Sequence, residues 1–210
     1  MMAEFSLGRS DIAGVVLAGG RSQRMGRDKA GVMLGAESLL HHALTRLSQQ
    51  ALLVAVNADA AAEGMPVVPD RFRGKAGPMA GIHAAMVYAA GLPSITHVVT
   101  VSVDCPFFPA DLVARLAAAI ERPSQIAIAA SEGRSHPVFG LWPVRLAADL
   151  EAWIATDEKR RVRDFLLRHD VTEVAFPLHP TRASLLDPFF NINTPDDLVE
   201  AERWLEALRG

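Results

Sequence analysis

The chain has 210 residues, half of them hydrophobic, and its 24 acidic side chains against 21 basic ones leave a formal net charge of −3. That length suits one large α/β domain better than two, and the mild negative charge excludes a nucleic-acid binder that works by bulk electrostatics. No run approaches the ~20 apolar residues of a membrane span. Residues 1–11 lack the basic segment and long apolar core of a signal peptide, and the single cysteine, Cys105, excludes an internal disulfide and a cysteine-based zinc site. The expectation is one cytoplasmic domain over residues 1–210, with no membrane or nucleic-acid partner.

The first apolar run, 12–17, reads as a strand buried on both faces. It opens into Leu17-Ala18-Gly19-Gly20-Arg21-Ser22-Gln23-Arg24-Met25-Gly26-Arg27-Asp28-Lys29. Gly19 and Gly20 can take positive φ and let backbone N–H groups approach anionic oxygens. Arg21, Arg24, Arg27 and Lys29 supply counter-charge, each charge-assisted hydrogen bond being worth roughly 1.5–3 kcal/mol, so the loop suits a polyphosphate. It is not a Walker A loop, because Lys29 is followed by Ala30 rather than by a Ser or Thr that would ligate Mg²⁺, and it is not G-x-G-x-x-G. A helix at 39–48 and a strand at 52–56 follow, and Asn57 emerges at that strand's end. Beyond Val67-Val68-Pro69-Asp70, the segment Lys75-Ala76-Gly77-Pro78-Met79-Ala80-Gly81 opens a helix at 78–90. Gly77 and Gly81 permit close backbone approach there, and a helix N-terminus favours nearby negative charge.

The strand expected at 97–103 ends in Asp104-Cys105-Pro106, which sets a carboxylate at the carboxyl edge of the sheet, where open α/β proteins bind ligands. Asp104 is read as an oxygen ligand for a hard cation in preference to the start of a turn before Pro106. Cys105 is read as a packed thiol. A helix at 110–120 and strands at 126–130 and 138–142 come next. Between the strands lies Ser135-His136-Pro137-Val138, where His136 is either a pocket-lining residue or an exposed turn histidine. A helix at 146–155 precedes Glu158-Lys159-Arg160-Arg161-Val162, a cationic cluster at the start of a helix at 161–168. The alternative, a solvated helix start, is disfavoured because positive charge is unfavourable at a helix N-terminus.

After a strand at 171–176, Phe190-Asn191-Ile192-Asn193-Thr194-Pro195 leads into the last helix, 195–208. Alternation places Asn191 and Asn193 on one side of an extended segment and Ile192 on the other. Each asparagine either positions a ligand or satisfies local backbone, whereas Thr194 is assigned to capping, with Asp196 and Asp197 complementing the helix dipole. Leu198, Val199, Ala201, Trp204, Leu205 and Leu208 form a stripe at helical spacing, with Trp204 read as core packing. Strands alternating with helices predict an α/β, mostly parallel sheet with helices on both faces.

The first loop closely resembles L-A-G-G-x-S-x-R-M-G-x-D-K, the signature of the molybdenum cofactor guanylyltransferases, within a larger family of nucleotidyltransferases that activate sugar phosphates and alditol phosphates. Later elements match in order: Asn57, the G-P-L-A-G element, Asp104, H-P at His136, E-R-R-V with an inserted-looking Lys159, and F-x-N-x-N-T-P. The resemblance covers residues 17–198. It implies a Rossmann-like nucleotidyltransferase fold, with a nucleotide-binding half at about 12–105 and an acceptor half at about 106–210. The implied reaction transfers GMP from GTP to molybdopterin or its molybdenum-bearing form and releases pyrophosphate.

The resemblance also implies roles for particular residues. Asp104 would hold Mg²⁺ and, with Lys29 and Arg24, carry catalysis. Leu17, Ala18, Gly19, Gly20 and Lys29 would cradle the nucleotide phosphates, while Asn57, Asp70, Gly77 and Gly81 would lie at base and ribose. Arg161, Asn191 and Asn193 would face the acceptor. Molybdopterin-delivering proteins and recipient molybdoenzymes are the implied transient partners. A cytidylyltransferase acting on molybdopterin or a sugar alcohol phosphate has the same architecture, but Leu17-Ala18-Gly19-Gly20, where those relatives more often carry an A-A-G turn, favours guanine. A GTP-sensing module without turnover is disfavoured by Asp104, Lys29 and the two asparagines.

Overall fold

The first strand, β1 (Ile12–Leu17), is buried at every position, as a strand covered on both faces must be. The computed structural model describes residues 5–19, 29–59, 64–72, 77–156, 161–182 and 184–209. Gly20 and Arg24 of the glycine-rich loop lie outside the described residues, as does the side chain of Lys29.

After β1 come a short hairpin of β2 (Met33–Leu34) and β3 (Glu37–Ser38), α1 (Leu39–Ser48), β4 (Leu53–Asn57), α2 (Pro78–Ala90) and β5 (His97–Ser102). The second half consists of α3 (Leu112–Ala118), β6 (Ile126–Ser131), β7 (Arg134–Pro143), α4 (Ala147–Thr156), α5 (Val162–Leu166) and β8 (Val171–Ala175). A small hairpin of β9 (His179–Pro180) and β10 (Leu185–Leu186) precedes α6 (Pro195–Arg209). Six strands form the central sheet in the order β4-β1-β5-β7-β6-β8. β4, β1 and β5 run parallel, as do β6 and β8, while β7 is antiparallel to both of its neighbours.

Alternation along β1 separates two apolar layers. Ile12 and Val16 join the layer containing α1, α3 and α6, whereas Ala13, Val15 and Leu17 join the one containing α2, α4 and α5. Gly14 faces the first layer, where a Cβ would stand 2.9 Å from Leu47 Cγ, so α1 rests directly on the strand. Helices therefore cover both faces of a mostly parallel sheet. None of the described helices is long and apolar enough to cross a membrane.

The structure differs from the sequence reading most at β7, which begins at Arg134 rather than at residue 138. Glu132 and Gly133, at φ 47° and 73°, make the two-residue turn whose twist matches an antiparallel hairpin, so the chain returns at once beside β6. At the start of the last helix the reading and the structure agree. Thr194 Oγ1 accepts from Asp197 N at 3.1 Å while Asp197 Oδ2 accepts from Thr194 N at 2.8 Å, a reciprocal cap. Along its apolar stripe Ala201 and Trp204 are buried, whereas Val199 and Leu208 are exposed.

Candidate functional site

The three parallel strands end level with one another, Leu17 being paired with both Asn57 and Ser102. One step further on, Ala18 N donates to Asn57 O at 3.0 Å and Val103 N donates to Leu17 O at 3.2 Å. Leu17, Ala18, Gly19, Asn57 and Asp104 are thereby gathered at the carboxyl edge of the sheet. This is the edge at which an α/β fold leaves room for a ligand.

Asn57 is only 2% exposed, and its Nδ2 donates to Val68 O at 2.9 Å and to Asp70 Oδ1 at 2.8 Å. Val56 bonds to the passing chain at Pro66 and Val68, so residues 66–68 lie against β4 and deliver Asp70 beside Asn57. Asn57 Oδ1 faces the two glycines. A Cβ on Gly19 would stand 3.2 Å from it, and one on Gly81 only 2.6 Å. The start of α2 thus rests on a buried amide that also holds an exposed carboxylate, Asp70. Gly77, at φ 57° and ψ −149°, turns the chain into α2 in a backbone conformation that a side chain would strain.

Asp104 is half-buried just beyond β5. Its Oδ1 accepts a short hydrogen bond from Ser102 Oγ and lies 3.8 Å from Cys105 Sγ. Its carbonyl oxygen accepts from Ile192 N at 2.8 Å, which docks the asparagine segment onto the end of β5. Around Ile192, which is fully buried, Asn191 is exposed and Asn193 is half-buried, matching the expected alternation. Asn193 N donates to Asp197 Oδ2 at 2.9 Å, so the segment is tied to α6 as well. Arg161 is exposed at the N-cap of α5, directly after residues 157–160, which lie outside the described residues. No hydrogen bond among the described residues joins it to Asp104 or the asparagines.

An oxygen donor pinned by a hydroxyl at a strand end fits a hard divalent cation. Among the described residues no group of three or more His, Cys, Asp or Glu side chains could hold a metal ion. A hard cation such as Mg²⁺ needs no such group, since it commonly accepts one or two carboxylates and completes its shell with phosphate oxygens and water. Cys105, 3% exposed, is packed into the apolar layer.

His136 is not a turn residue but stands within β7, paired with Ala129. Its Nε2 lies 2.7 Å from Ser131 Oγ, which donates to Asp187 Oδ1 at 3.0 Å, and its ring stacks on Phe189 at 4.5 Å between centroids. Burial pushes the His136 pKa below its usual value, with Asp187 opposing the shift and Arg134 adding to it. Sequence reasoning missed Ser102, Ser131 and Asp187. The local signal for Ser131 was the Glu132-Gly133 turn, which implies a hairpin and thereby brings His136 next to the end of β6; Asp187 had none.

Among known proteins, the model of the MobA-like NTP transferase domain matches residues 14–173 of this chain. The molybdenum cofactor guanylyltransferase of Rhizobium johnstonii is 95% identical over 208 residues, covering 99% of this chain and 100% of that relative. A solved structure, molybdopterin-guanine dinucleotide biosynthesis protein A from Archaeoglobus fulgidus, is 26% identical with a TM-score of 0.70, covering 92% of this chain and 98% of its own. Rv0371c from Mycobacterium tuberculosis, solved in complex with manganese, shares the fold at 20% identity and a TM-score of 0.65, covering 92% of this chain and 98% of its own.

Proposed function

We infer from this chain, which belongs to the MobA-like NTP transferase domain family, a guanylyl transfer in which GMP passes from GTP to molybdopterin or its molybdenum-bearing form, giving the guanine dinucleotide cofactor and releasing pyrophosphate. The observation that carries the reaction class is the junction at Asp104. There the nucleotide-side strand ends meet the asparagine segment through the Ile192 N to Asp104 O bond of 2.8 Å, so two reactants bound on either side would share one carboxylate. The base and the acceptor follow the relative that is 95% identical over its full length.

In this reaction an oxygen of the acceptor's terminal phosphate attacks the α-phosphorus of GTP. A new P–O bond forms as the bond from the α-phosphorus to the bridging oxygen breaks, and the electron pair leaves with pyrophosphate. The nucleophile is already an anion and needs no covalent enzyme intermediate. The protein's tasks are to align two phosphates and to offset their repulsion.

Asp104 would hold Mg²⁺, which supplies positive charge at the phosphate oxygens. Lys29 and Arg24 add cationic charge from the first loop, and the backbone of residues 17–20 cradles the phosphates. Asp70, fixed by Asn57, faces ribose or base, and the glycines at 77 and 81 let α2 approach the nucleotide. Arg161, Asn191 and Asn193 serve the acceptor. Molybdopterin-delivering proteins and recipient molybdoenzymes would be transient partners.

Isothermal titration with the four nucleoside triphosphates tests the base assignment. GTP binds at least about tenfold more tightly than CTP, UTP or ATP, because a site that hydrogen-bonds one base leaves its own polar groups unpaired with another. Equal or tighter CTP binding contradicts guanylyl transfer and leaves the fold untouched.

A further inference from the structure

His136 stands on the acceptor side of Asp104. β7 runs antiparallel to β5 with Thr100 paired to Gly140, so the residues before Gly140 lie towards and beyond the carboxyl end of β5. Thr100 Oγ1 donates to Val138 O at 2.6 Å, which holds this part of β7 in place. Phe189, on which His136 stacks, is three residues before Ile192, whose N–H bonds Asp104 O. The stretch from Phe189 to Ile192 thus runs from the His136 ring to the backbone carbonyl of Asp104.

The hydrogen bonds around His136 select one tautomer. Ser131 is 2% exposed, and its single hydroxyl proton goes to Asp187 Oδ1, which also accepts from Phe189 N at 2.9 Å. Ser131 Oγ is then an acceptor towards the ring, so His136 carries its proton on Nε2 and presents a lone pair at Nδ1. Nδ1 makes no hydrogen bond with the described residues, and the ring is half-buried. A lone pair repels a phosphate oxygen and attracts an N–H group. Protonation at Nδ1, which would reverse that preference, is disfavoured by burial of the ring.

We propose that His136 reads the heterocycle of the acceptor rather than its phosphate, accepting at Nδ1 a hydrogen bond from a pterin N–H, while Ser131 and Asp187 are positioning residues that lock the ring. This inference rests on the molybdopterin reading given under Proposed function. Phe189 and the hydroxyl–carboxylate pair hold the imidazole before any ligand arrives, so its orientation costs little on binding.

The test combines three variants with two measurements. His136→Phe keeps the stack on Phe189 and removes both ring nitrogens. Asp187→Ala removes the oxygen that holds Ser131, whereas Asp187→Asn retains an oxygen able to accept from both Ser131 and Phe189 N. Steady-state transfer is followed against molybdopterin at saturating GTP, and GTP affinity is titrated without acceptor. His136→Phe and Asp187→Ala should raise the KM for molybdopterin about tenfold or more with unchanged GTP affinity, and Asp187→Asn should stay within about threefold of wild type. Unchanged molybdopterin KM in His136→Phe overturns the proposal, as does a matching loss of GTP affinity, which would mark a structural role. If Asp187→Ala fails to fold, His136→Phe alone decides. A wild-type protein that transfers GMP neither to molybdopterin nor to its molybdenum-bearing form overturns the function itself, a result distinct from normal transfer with an indifferent His136→Phe.

Discussion

Asp104→Asn should lower metal-dependent GMP transfer by about two orders of magnitude or more, equivalent to roughly 3 kcal/mol of barrier, while leaving the fold intact. The asparagine has the same shape and can still accept the Ser102 hydroxyl at its side-chain oxygen. The backbone bond from Ile192 N is untouched, so the asparagine segment stays docked. What disappears is the anionic oxygen, and a neutral amide is a far weaker ligand for Mg²⁺. Turnover across a Mg²⁺ titration, with a thermal melt alongside, separates the two effects. Near wild-type turnover at every Mg²⁺ concentration would remove Asp104 from the mechanism.

Gly81→Ala sets two effects of opposite sign against each other. In a helix interior the change normally stabilises by roughly 0.5–1 kcal/mol, because glycine loses more backbone freedom on folding. Here the new Cβ would stand 2.6 Å from Asn57 Oδ1 and 3.2 Å from Leu17 Cδ2. Asn57 has no free space to yield into, being 2% exposed with both amide hydrogens committed to Val68 O and Asp70. Overpacking of this kind costs about 1–3 kcal/mol, so the steric term wins and the variant melts at lower temperature. Displacing Asn57 also frees Asp70, and GTP affinity should fall about tenfold with it. A higher melting temperature with unaltered GTP binding would contradict this account of the site's nucleotide side.

The carboxyl edge of the sheet was legible because parallel α/β topology fixes where strand ends go. An apolar run ending in Asn57, or one leading to Asp104, already says that those polar groups emerge at the carboxyl edge, and the register sets the ends of β1, β4 and β5 level. Thr194 was legible for a local reason, since its cap closes with Asp197 only three residues away. The network around His136 was not. It needs Ser131 and Asp187, 56 residues apart, to meet in a tertiary side-chain contact that no local pattern encodes. The hairpin that begins it turns on Glu132-Gly133, a weaker signal than Asn-Gly for positive φ at both positions. Likewise, nothing in the spacing of Asp104 and Ile192 announces that the Asp104 carbonyl accepts from Ile192 N. That contact exists only once β5 and the approach to α6 are in place.

The most direct test of the central claim is a stoichiometric assay of GTP, Mg²⁺ and purified molybdopterin with the wild-type protein, measuring pyrophosphate release and the mass of the modified pterin together. Guanylyl transfer predicts one pyrophosphate for each molybdopterin guanine dinucleotide formed, with release dependent on the acceptor. Pyrophosphate released equally well without molybdopterin, or a pterin product carrying CMP when CTP replaces GTP at the same concentration, would contradict it.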